Sequence, residues 1–360
     1  GAAVNPDDGR LPNYGANDGA LPSPLSSCAY SDFRPTLQAM AVVTRGERRF
    51  PPGPWDEEAL WFAGSAAAAA PYRPAPLASR SFAVSGHHLL RGRDGGHFGA
   101  FRCGSVLDRF SQIDMLHLDV WWRGHNVLAD GGSYLYNGPA AWNAHFVRTA
   151  SHNTVQVEDW DQMVHARRFK CLYWTQAELL TFERGHRWML AAGEHRGYER
   201  ELAGCVHRRA VLLFADELLL VVDRVTGSGV HPLRLHWLAG CPGAATSDGL
   251  AAELNTPAGR YRVAVLDEDG APLPLDVVSG RDEPPRGWLS RHYARKRAVP
   301  SIVARADGPL PCTMISVLGP PGATARALGD GRWELQIGGR SLRLRLRDGI
   351  PTEIAREDHR

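Results

Sequence analysis

One short segment of this 360-residue chain carries residue types that often do chemistry, spaced as they would be in a β-strand. Residues 116–122 read Leu-His-Leu-Asp-Val-Trp-Trp. Because successive side chains of a strand point to opposite faces, His117, Asp119 and Trp121 would share one face, with aliphatic residues on the other. A histidine, a carboxylate and an indole ring could together form one wall of a carbohydrate cleft. The alternative is structural, with His117 and Asp119 hydrogen-bonded to each other on a half-buried face.

A second group of polar residues follows this strand. Asp130 precedes two glycines, Tyr134 and Tyr136 come next with the same strand parity, and residues 152–154 read His-Asn-Thr. Taken singly, Asp130 is typical of a turn, the histidine of a satisfied structural residue and each tyrosine of a packed aromatic. Their order along the chain marks them as candidate functional residues.

Short strands separated by turns are expected to position these residues. From Ser79 onward, runs with period-2 alternation or β-branched content are separated by Gly and Asp-Gly turns, and almost no segment is typical of a helix. The sequence therefore predicts a mostly β fold, a large antiparallel β-sandwich. The clearest predicted strands are 81–84, 99–103, 116–122, 153–158, 209–214, 218–223, 233–238, 261–266, 313–318, 333–337 and 341–346.

The first 78 residues have a different character. Residues 1–35 are crowded with Asn, Asp, Gly and Pro, which predicts loops. A helix is expected from Arg34 to about Thr44, and a second near residues 54–61, where a proline is followed by three acids. The alanine run 66–70 resembles a helix end before a proline-rich linker. We therefore predict a domain boundary near residue 78, with a small helical part at 1–78 and the sandwich at 79–360.

Composition excludes several classes of protein. The 41 Lys and Arg residues nearly balance 39 Asp and Glu residues, and the formal net charge of +2 is spread along the chain, so no nucleic-acid partner is expected. The most apolar stretch, 211–222, is too short to cross a bilayer and contains two acids, so no membrane span is expected. Because the sequence starts with Gly1, we expect a processed form or a piece of a longer protein.

The ordered motifs resemble those of the heparinase II/III-like polysaccharide lyases. The run S-Q-I-D-M-L-H-L-D-V-W-W-R-G-H-N-V-L-A-D-G-G-S-Y-L-Y-N, followed by T-A-S-H-N-T-V, is similar to the family's H-x-D-x-L strand, D-x-G-[TS]-Y turn and T-x-x-H-N-T-V segment. H-R-R-A-V-L-L-F and L-V-V-D-R-V-T-G (207–227) and G-W-L-S-R-H-Y (287–293) extend the likeness over residues 80–320. Upstream, L-P-N-Y-G-A-N-D-G-A-L-P-S-P-L resembles the last part of the helical α/α toroid that precedes the family's sheet domain.

The resemblance implies β-elimination on an acidic, uronic-acid-containing polysaccharide. This reaction needs a group that neutralises the uronate carboxylate, a base for the C5 proton and an acid for the departing 4-linked oxygen. In the family, tyrosine and histidine usually act as base and acid. The implied catalytic candidates are Tyr14 and Tyr30 from the toroid part and His117, Tyr136 and His145 from the sheet part. The implied substrate-binding candidates are Asn13, Asn17, Trp121, Arg148 and Asn153.

The resemblance also implies a metal site, with one departure. Family members often hold zinc with two histidines and an aspartate, and matching the motifs places Gln112, Asp130 and His152 at those positions. Glutamine is a poor zinc ligand beside imidazole or carboxylate. We therefore expect weak structural zinc or none, with the three side chains keeping their geometry through hydrogen bonds.

Two other functions remain open on the sequence. A non-catalytic carbohydrate-binding or scaffold module of an exopolysaccharide system could use some of the eleven tryptophans as stacking platforms. A glycoside hydrolase would need an acidic pair across a sugar-sized gap. The candidates are Asp114 with Asp119 and Glu158 with Asp159, and ordinary surface acids look the same. The resemblance implies a bacterial protein that is periplasmic or extracellular; the polysaccharide, exo or endo action, and the oligomeric state are not specified by the sequence.

Overall fold

The computed structural model describes residues 1–15, 17, 19–93, 95–106, 112–167, 169–241 and 245–356. Three helices follow an N-terminal loop: α1 (Arg34–Arg45), α2 (Asp56–Ala63) and α3 (Ser65–Ala69). Proline in the first turn begins α1, and Gly46 ends it in the left-handed region with its N–H on the Val42 carbonyl. The two predicted helices are confirmed, and the alanine run forms a short helix of its own. The small apolar core of this part is made mainly of alanines.

Strands make up most of the rest of the chain. They are β1 (Arg80–Phe82), β2 (His87–Arg91), β3 (Phe98–Arg102), β4 (Leu118–Trp122), β5 (His125–Leu128), β6 (Val155–Val157), β7 (Val164–Arg167), β8 (Lys170–Leu172), β9 (Ala177–Arg184), β10 (Trp188–His195), β11 (Val206–Phe214), β12 (Leu218–Thr226), β13 (Val230–Leu238), β14 (Ala245–Ser247), β15 (Ala251–Thr256), β16 (Gly259–Leu266), β17 (Leu275–Ser279), β18 (Arg281–Asp282), β19 (Pro285–Arg286), β20 (Trp288–His292), β21 (Arg295–Ala298), β22 (Pro300–Pro309), β23 (Cys312–Gly319), β24 (Thr324–Gly329), β25 (Arg332–Ile337), β26 (Arg340–Arg347) and β27 (Ile350–Arg356). Helix α4 (Ala140–His145) and a 3-10 turn (Thr149–Ser151) lie between β5 and β6.

The fold is organised around an eight-stranded sheet in the order β14-β15-β16-β23-β12-β11-β10-β9. Its central strands are buried on both faces, so they read as nearly continuous aliphatic runs. In β12, Leu219 and Val221 face one hydrophobic core, and Leu218 and Leu220 face another. This alternation places one layer of the protein on each side of the sheet.

The layer on one face is the sheet β24-β25-β26-β27, which closes the smaller core. On the other face lie the sheets β1-β2-β3-β4-β5 and β17-β22-β13-β6, over the larger core. Every strand pairing of these sheets is antiparallel, so the predicted antiparallel β-sandwich is confirmed, with a third layer added. The first strand begins at Arg80; the domain boundary near residue 78 stays a prediction. None of the helices in the described ranges is long and apolar enough to cross a membrane.

The structure corrects the expected exposure of the strand after His117. All five residues of β4 are buried, because Leu118, Val120 and Trp122 face the larger core while the opposite face is also covered. On that face Trp121 stacks on Phe98, with ring centroids 5.5 Å apart. The expected half-exposed wall of a cleft is therefore wrong for this strand.

Candidate functional site

Three buried side chains form a cluster, which we name the His–Asp–His cluster: His117, Asp130 and His152. His117 directly precedes β4, Asp130 follows β5, and His152 lies between the 3-10 turn and β6. Each is at most 5% exposed, and one potential ligand atom from each lies within 4.8 Å of the others. Nδ1 of His152 and Oδ2 of Asp130 are 2.8 Å apart. The cluster thus joins three loops at one end of the five-stranded sheet.

The turn after Asp130 depends on glycine. Gly132 has a φ of +86°, and a Cβ atom there would lie 1.6 Å from the main-chain oxygen of Ser290. A neighbouring contact, from the Ser290 N–H to the Gly131 oxygen, draws strand β20 against this turn. Gly132 therefore permits a close approach between the turn and a strand that lies far away in the sequence.

Burial and mutual charge set the protonation of the cluster. Burial alone would raise the pKa of Asp130, but the charge and hydrogen bond of His152 outweigh it and lower that pKa to about 2. Burial opposes the charged form of His152, yet Asp130 raises its pKa above the ordinary value. Burial lowers the pKa of His117 to about 3, so this ring is neutral near pH 7. Asp130 and His152 thus each favour the charged form of the other, and the neutral imidazole of His117 lies beside them.

The donor set of the cluster fits a zinc ion. Two imidazoles and one carboxylate are zinc ligands in proteins, and the Nε2 atoms of His117 and His152 have no hydrogen-bond partner within the described ranges. The main-chain N–H of Asn153 donates to Nδ1 of His117 at 2.9 Å, which places the proton of this ring on Nε2. Metal binding there must displace that proton or turn the ring, so occupancy should fall with falling pH.

His117, not Gln112, is the residue that the fold brings to Asp130 and His152. The side chain of Gln112 is buried nearby, but its Nε2 donates to the main-chain oxygens of Gly132 and Phe146. Gln112 thus ties the glycine turn to the chain after α4. The ligand set taken from the motif spacing, with glutamine in place of a histidine, is corrected accordingly.

A buried ion pair lies behind the cluster. Nε and Nη2 of Arg209 donate to the two carboxylate oxygens of Asp223 at 2.7 and 3.0 Å, and both side chains are fully buried. Nη1 of Arg209 donates to the main-chain oxygens of Leu116, at 2.7 Å, and of Asn153. These two residues directly precede and follow the two histidines of the cluster. Arg209 therefore fixes the main chain on both sides of the site.

Two buried histidines continue this network. The Gly197 N–H donates to Nδ1 of His195, so His195 donates from Nε2 to Nδ1 of His207, which in turn donates from Nε2 to Asp223. Burial lowers the pKa of both histidines. Burial would raise the pKa of Asp223, but Arg209 and His207 together hold it below its usual range. Each N–H donor of this series thus has an acceptor while both imidazoles are neutral.

A cleft of about 940 Å³ opens beside the cluster, between the N-terminal loop and the sheet domain. The loop side includes Asn13, Tyr14, Asn17 and Tyr30, four of the residues predicted from the sequence, and the sheet side includes Asp130. Asn13 donates from Nδ2 to Oδ1 of Asp130 at 3.0 Å. One carboxylate therefore belongs both to the buried cluster and to the cleft wall.

The two tyrosines on the loop side have different surroundings. The hydroxyl of Tyr30 donates to Oδ1 of Asn17 inside the cleft. Tyr14 is half exposed, and its ring packs edge-on against His87 and near the guanidinium of Arg102, 4.8 Å from the ring centroid. Both phenols are accessible to a ligand in the cleft.

Five other predicted residues lie away from the described cleft walls. Trp121 and Asn153 are at most 1% exposed, and Asn153 hydrogen-bonds the main chain of three neighbouring segments. Arg148 pairs with Asp161 at 2.6 Å. His145 ends α4 beside Ser151, and Tyr136 packs against Phe169 and Tyr293. The structure does not bring these five side chains into the cleft, and burial prevents Trp121 and Asn153 from acting as exposed binding groups.

Several cleft residues were missed by sequence reasoning. Arg10 and Asn126 were given no role, and Arg291, His292 and Tyr293 lie in the G-W-L-S-R-H-Y motif, which was noted only as a supporting match. This motif ends strand β20, whose contact with Gly132 carries it to the cleft. The signal available in the sequence was the motif itself, because its polar residues stand at the end of a strand.

Comparison with known proteins gives one family and one fold. Residues 74–327 match the family described as heparinase II/III-like, C-terminal. The solved structure of heparan sulfate lyase HepC from Pedobacter heparinus aligns with a TM-score of 0.70 at 16% identity, over 96% of this chain and 51% of that protein. Two structures of heparinase III give TM-scores of 0.68 and 0.69 at 16% and 15% identity, over 96% and 95% of this chain and 51% and 52% of theirs. No curated protein matches.

These alignments cover nearly all of this chain but only part of each solved protein. The chain spans about half the length of the solved lyases that it resembles. At this identity the likeness shows the fold, and the family is shown by the match over most of the chain.

Proposed function

The chain belongs to the heparinase II/III-like family, and on that premise we propose that it is part of a polysaccharide lyase that cleaves a uronic-acid-containing polysaccharide by β-elimination. The observation that carries the proposal is the cleft, which joins the tyrosines of the N-terminal loop to the sheet domain. The same reasoning from the family makes a periplasmic or extracellular location part of the proposal.

Tyr30 is the proposed base. Its phenol oxygen contacts the amide of Asn17, so a group that takes a proton and a group that can hydrogen-bond a carboxylate stand side by side. Once Tyr30 has released its own proton to solvent, its phenolate takes the C5 proton of the uronate and becomes a phenol again. The electron pair of the C5–H bond forms the C4–C5 double bond, and the C4–O bond breaks with its electron pair on the departing oxygen. A hydrogen bond from the side-chain N–H of Asn17 to the uronate carboxylate stabilises the charge that develops at C5.

The departing oxygen needs a proton, and two phenols of the cleft can supply it. Tyr14 lies on the loop side and Tyr293 on the sheet side. Tyr136 contacts Tyr293 from behind, with ring centroids 5.1 Å apart, so it supports that ring and does not face the substrate. His117 and His145 are assigned no step, because His117 is buried in the His–Asp–His cluster and His145 lies behind the cleft wall.

The His–Asp–His cluster is proposed as a structural zinc site. His117, Asp130 and His152 would hold the ion, which when bound supplies a cross-link between the three loops. Asp130 also holds Asn13, so the same cross-link fixes the loop that carries Tyr14 and Tyr30. Positioning this loop is the work that the cluster does for the reaction.

The test is an assay of the full-length protein with a panel of uronic-acid polysaccharides, following both ultraviolet absorbance of an unsaturated uronate and reducing ends. The two signals should rise together. Tyr30→Phe should lower kcat by about 10²- to 10⁴-fold, because the phenolate oxygen is lost while the ring remains. Tyr72→Phe, a change of the same kind at a 44% exposed position outside the described cleft walls, is the matched control.

Other results of this assay identify other functions. Reducing ends without absorbance would mean hydrolysis. Binding without either product would support the non-catalytic module. Full activity in Tyr30→Phe would keep the lyase but reject Tyr30 as its base.

A further inference from the structure

Three arginines meet at one wall of the cleft. Arg10 comes from the N-terminal loop, Arg291 from β20 and Arg297 from β21, and both Arg10 and Arg291 line the cleft directly. Nη2 of Arg291 and Nη2 of Arg297 donate to the same main-chain oxygen, that of Gly240, at 3.1 and 2.6 Å. The two guanidinium groups are therefore held within one hydrogen-bond length of a single atom.

The positive charge of these three arginines is not balanced by carboxylates that pair with them. Arg10 pairs with Asp8, but neither Arg291 nor Arg297 forms an ion pair with any carboxylate in the described ranges. The buried acid whose charge acts on Arg291 is Asp119. Its oxygens already accept hydrogen bonds from the indole of Trp121, the amide of Asn126 and the N–H of Asp130. Two like charges thus stand together, half-buried, without a counter-ion.

The pKa values reflect the same imbalance. Burial, then the charges of Arg10 and Arg297, lower the pKa of Arg291 to about 10. Arg291 remains charged at pH 7, and an anion placed beside it would remove the repulsion.

If Arg291 and Arg297 served only to hold the main chain, most of their N–H donors would be unused. Each guanidinium carries five N–H donors. Gly240 takes one from each arginine, and the buried Nε of Arg297 has no partner in the described part of the chain. A single lysine or amide would satisfy the same carbonyl. The excess of fixed donors at a cleft wall is typical of a site that binds an oxyanion.

We infer that Arg291, with Arg10 and Arg297 beside it, forms a subsite for an oxyanion of an acidic saccharide in the cleft. The identification of the ligand as a saccharide rests on the proposed function. A uronate carboxylate and a sulfate ester share the chemistry that a guanidinium recognises, since both offer two oxygens to parallel N–H donors. Arg10 and Arg291 line the same cleft as Tyr30, so the subsite would bind a charged group of the saccharide whose uronate Tyr30 deprotonates.

The test is isothermal titration calorimetry with three hexasaccharides: an unsulfated glucuronate–glucosamine hexasaccharide, its carboxyl-reduced form and its N-sulfated form. Every protein also carries Tyr30→Phe, so that the saccharide is not consumed. Arg291→Gln should weaken binding of the charged hexasaccharide about tenfold or more and leave the carboxyl-reduced one unchanged. Arg291→Lys should recover part of the loss, because it restores the charge without the planar fork.

Arg295→Gln is the matched control. Arg295 lies on the same hairpin and is exposed, so its removal changes the net charge equally without touching the cleft wall. Equal losses in Arg291→Gln and Arg295→Gln would overturn the inference. So would equal affinities of the parent Tyr30→Phe protein for all three saccharides. A greater loss with the sulfated saccharide would identify the group as sulfate, and an equal loss with both charged forms would identify it as carboxylate.

The outcome is separable from that of the lyase proposal. If binding depends on Arg291 but the protein forms no unsaturated product, the subsite proposal stands and the lyase proposal is rejected. If the protein is a lyase and Arg291→Gln leaves its KM for a charged substrate unchanged, the lyase proposal stands and the subsite proposal is rejected. Thermal unfolding of each variant, followed by circular dichroism, shows that a loss of binding is not a loss of fold.

Discussion

Asn13 donates from Nδ2 to Oδ1 of Asp130, across 117 positions of sequence. The same aspartate binds His152 with its other oxygen. A loop with little regular structure is in this way attached to the buried His–Asp–His cluster of the sheet domain. The cluster therefore helps to hold the N-terminal loop against the sheet domain.

Loss of this hydrogen bond should loosen the loop. Removing a partner of a charged group costs about 1.5–3 kcal/mol. In Asn13→Ala we expect amide hydrogens of residues 9–33 to exchange about tenfold faster or more, with β11 and β12 unchanged. Hydrogen exchange followed by mass spectrometry measures this. Asn137→Ala, at an exposed asparagine, is the control, and the same exchange pattern in both variants would contradict the attachment.

Arg209 should be essential for the stability of the site. Arg209→Gln leaves the carboxylate of Asp223 buried without its main partner, which should lower the free energy of unfolding by about 3–5 kcal/mol. Its neighbour Arg208 pairs with Glu194 nearer the surface, and Arg208→Gln should cost only about 0–1 kcal/mol. Urea unfolding at pH 7 compares the two. Similar losses would mean that the Arg209 pair contributes no more than a surface pair.

Local pattern predicted the strands, because alternation and aliphatic runs depend only on neighbouring residues. It could not predict that Trp121 is buried, since Phe98 and the rest of β3 cover it from another part of the sheet. Matching the family's motifs placed Gln112, and not His117, with Asp130 and His152. The chain reverses at Leu116, whose φ of 60° is unusual for that residue, and spacing along the sequence does not report such a turn.

The residues that line the cleft are also brought together by contacts between distant parts of the sequence. Arg291 and Tyr293 reach it through the contact of β20 with Gly132, about 160 residues earlier. Asn13, Tyr14 and Tyr30 were found because their motif resembles the family's, not because of any periodicity. Motif likeness identified the loop side of the site, and the tertiary fold was needed for the sheet side.

Metal content should distinguish the two possible ligand sets. After loading with zinc and removal of excess by gel filtration, elemental analysis should find about one zinc per chain. His152→Gln and His117→Gln should lose it, because an amide is a poor zinc ligand. Gln112→Met should keep it, since Gln112 only bridges main-chain oxygens. Retention in His117→Gln with loss in Gln112→Met would restore the set taken from motif spacing.

Stability should fall as the pH drops below about 6.5, because the fold buries neutral histidines. For His195 the folded pKa lies well below the ordinary value of 6.5, so between these values the unfolded chain binds the extra proton. Its contribution is fully present above pH 6.5 and is lost at about 1.4 kcal/mol per pH unit below it. Asp223 has a lowered pKa, so its own contribution is lost only below about pH 4.

Urea unfolding at pH 7 and pH 5 can isolate the histidine effect. Other buried histidines add to the slope in the wild-type protein, so the comparison is with His195→Gln, which removes one titrating group and keeps side-chain hydrogen bonding. The variant should be less stable at pH 7 and lose less stability on going to pH 5, by about 1.4 kcal/mol per pH unit at most. An unchanged pH slope would mean that His195 takes up its proton in the folded state as readily as in the unfolded chain, and that the donor chain from Gly197 to Asp223 does not fix its tautomer.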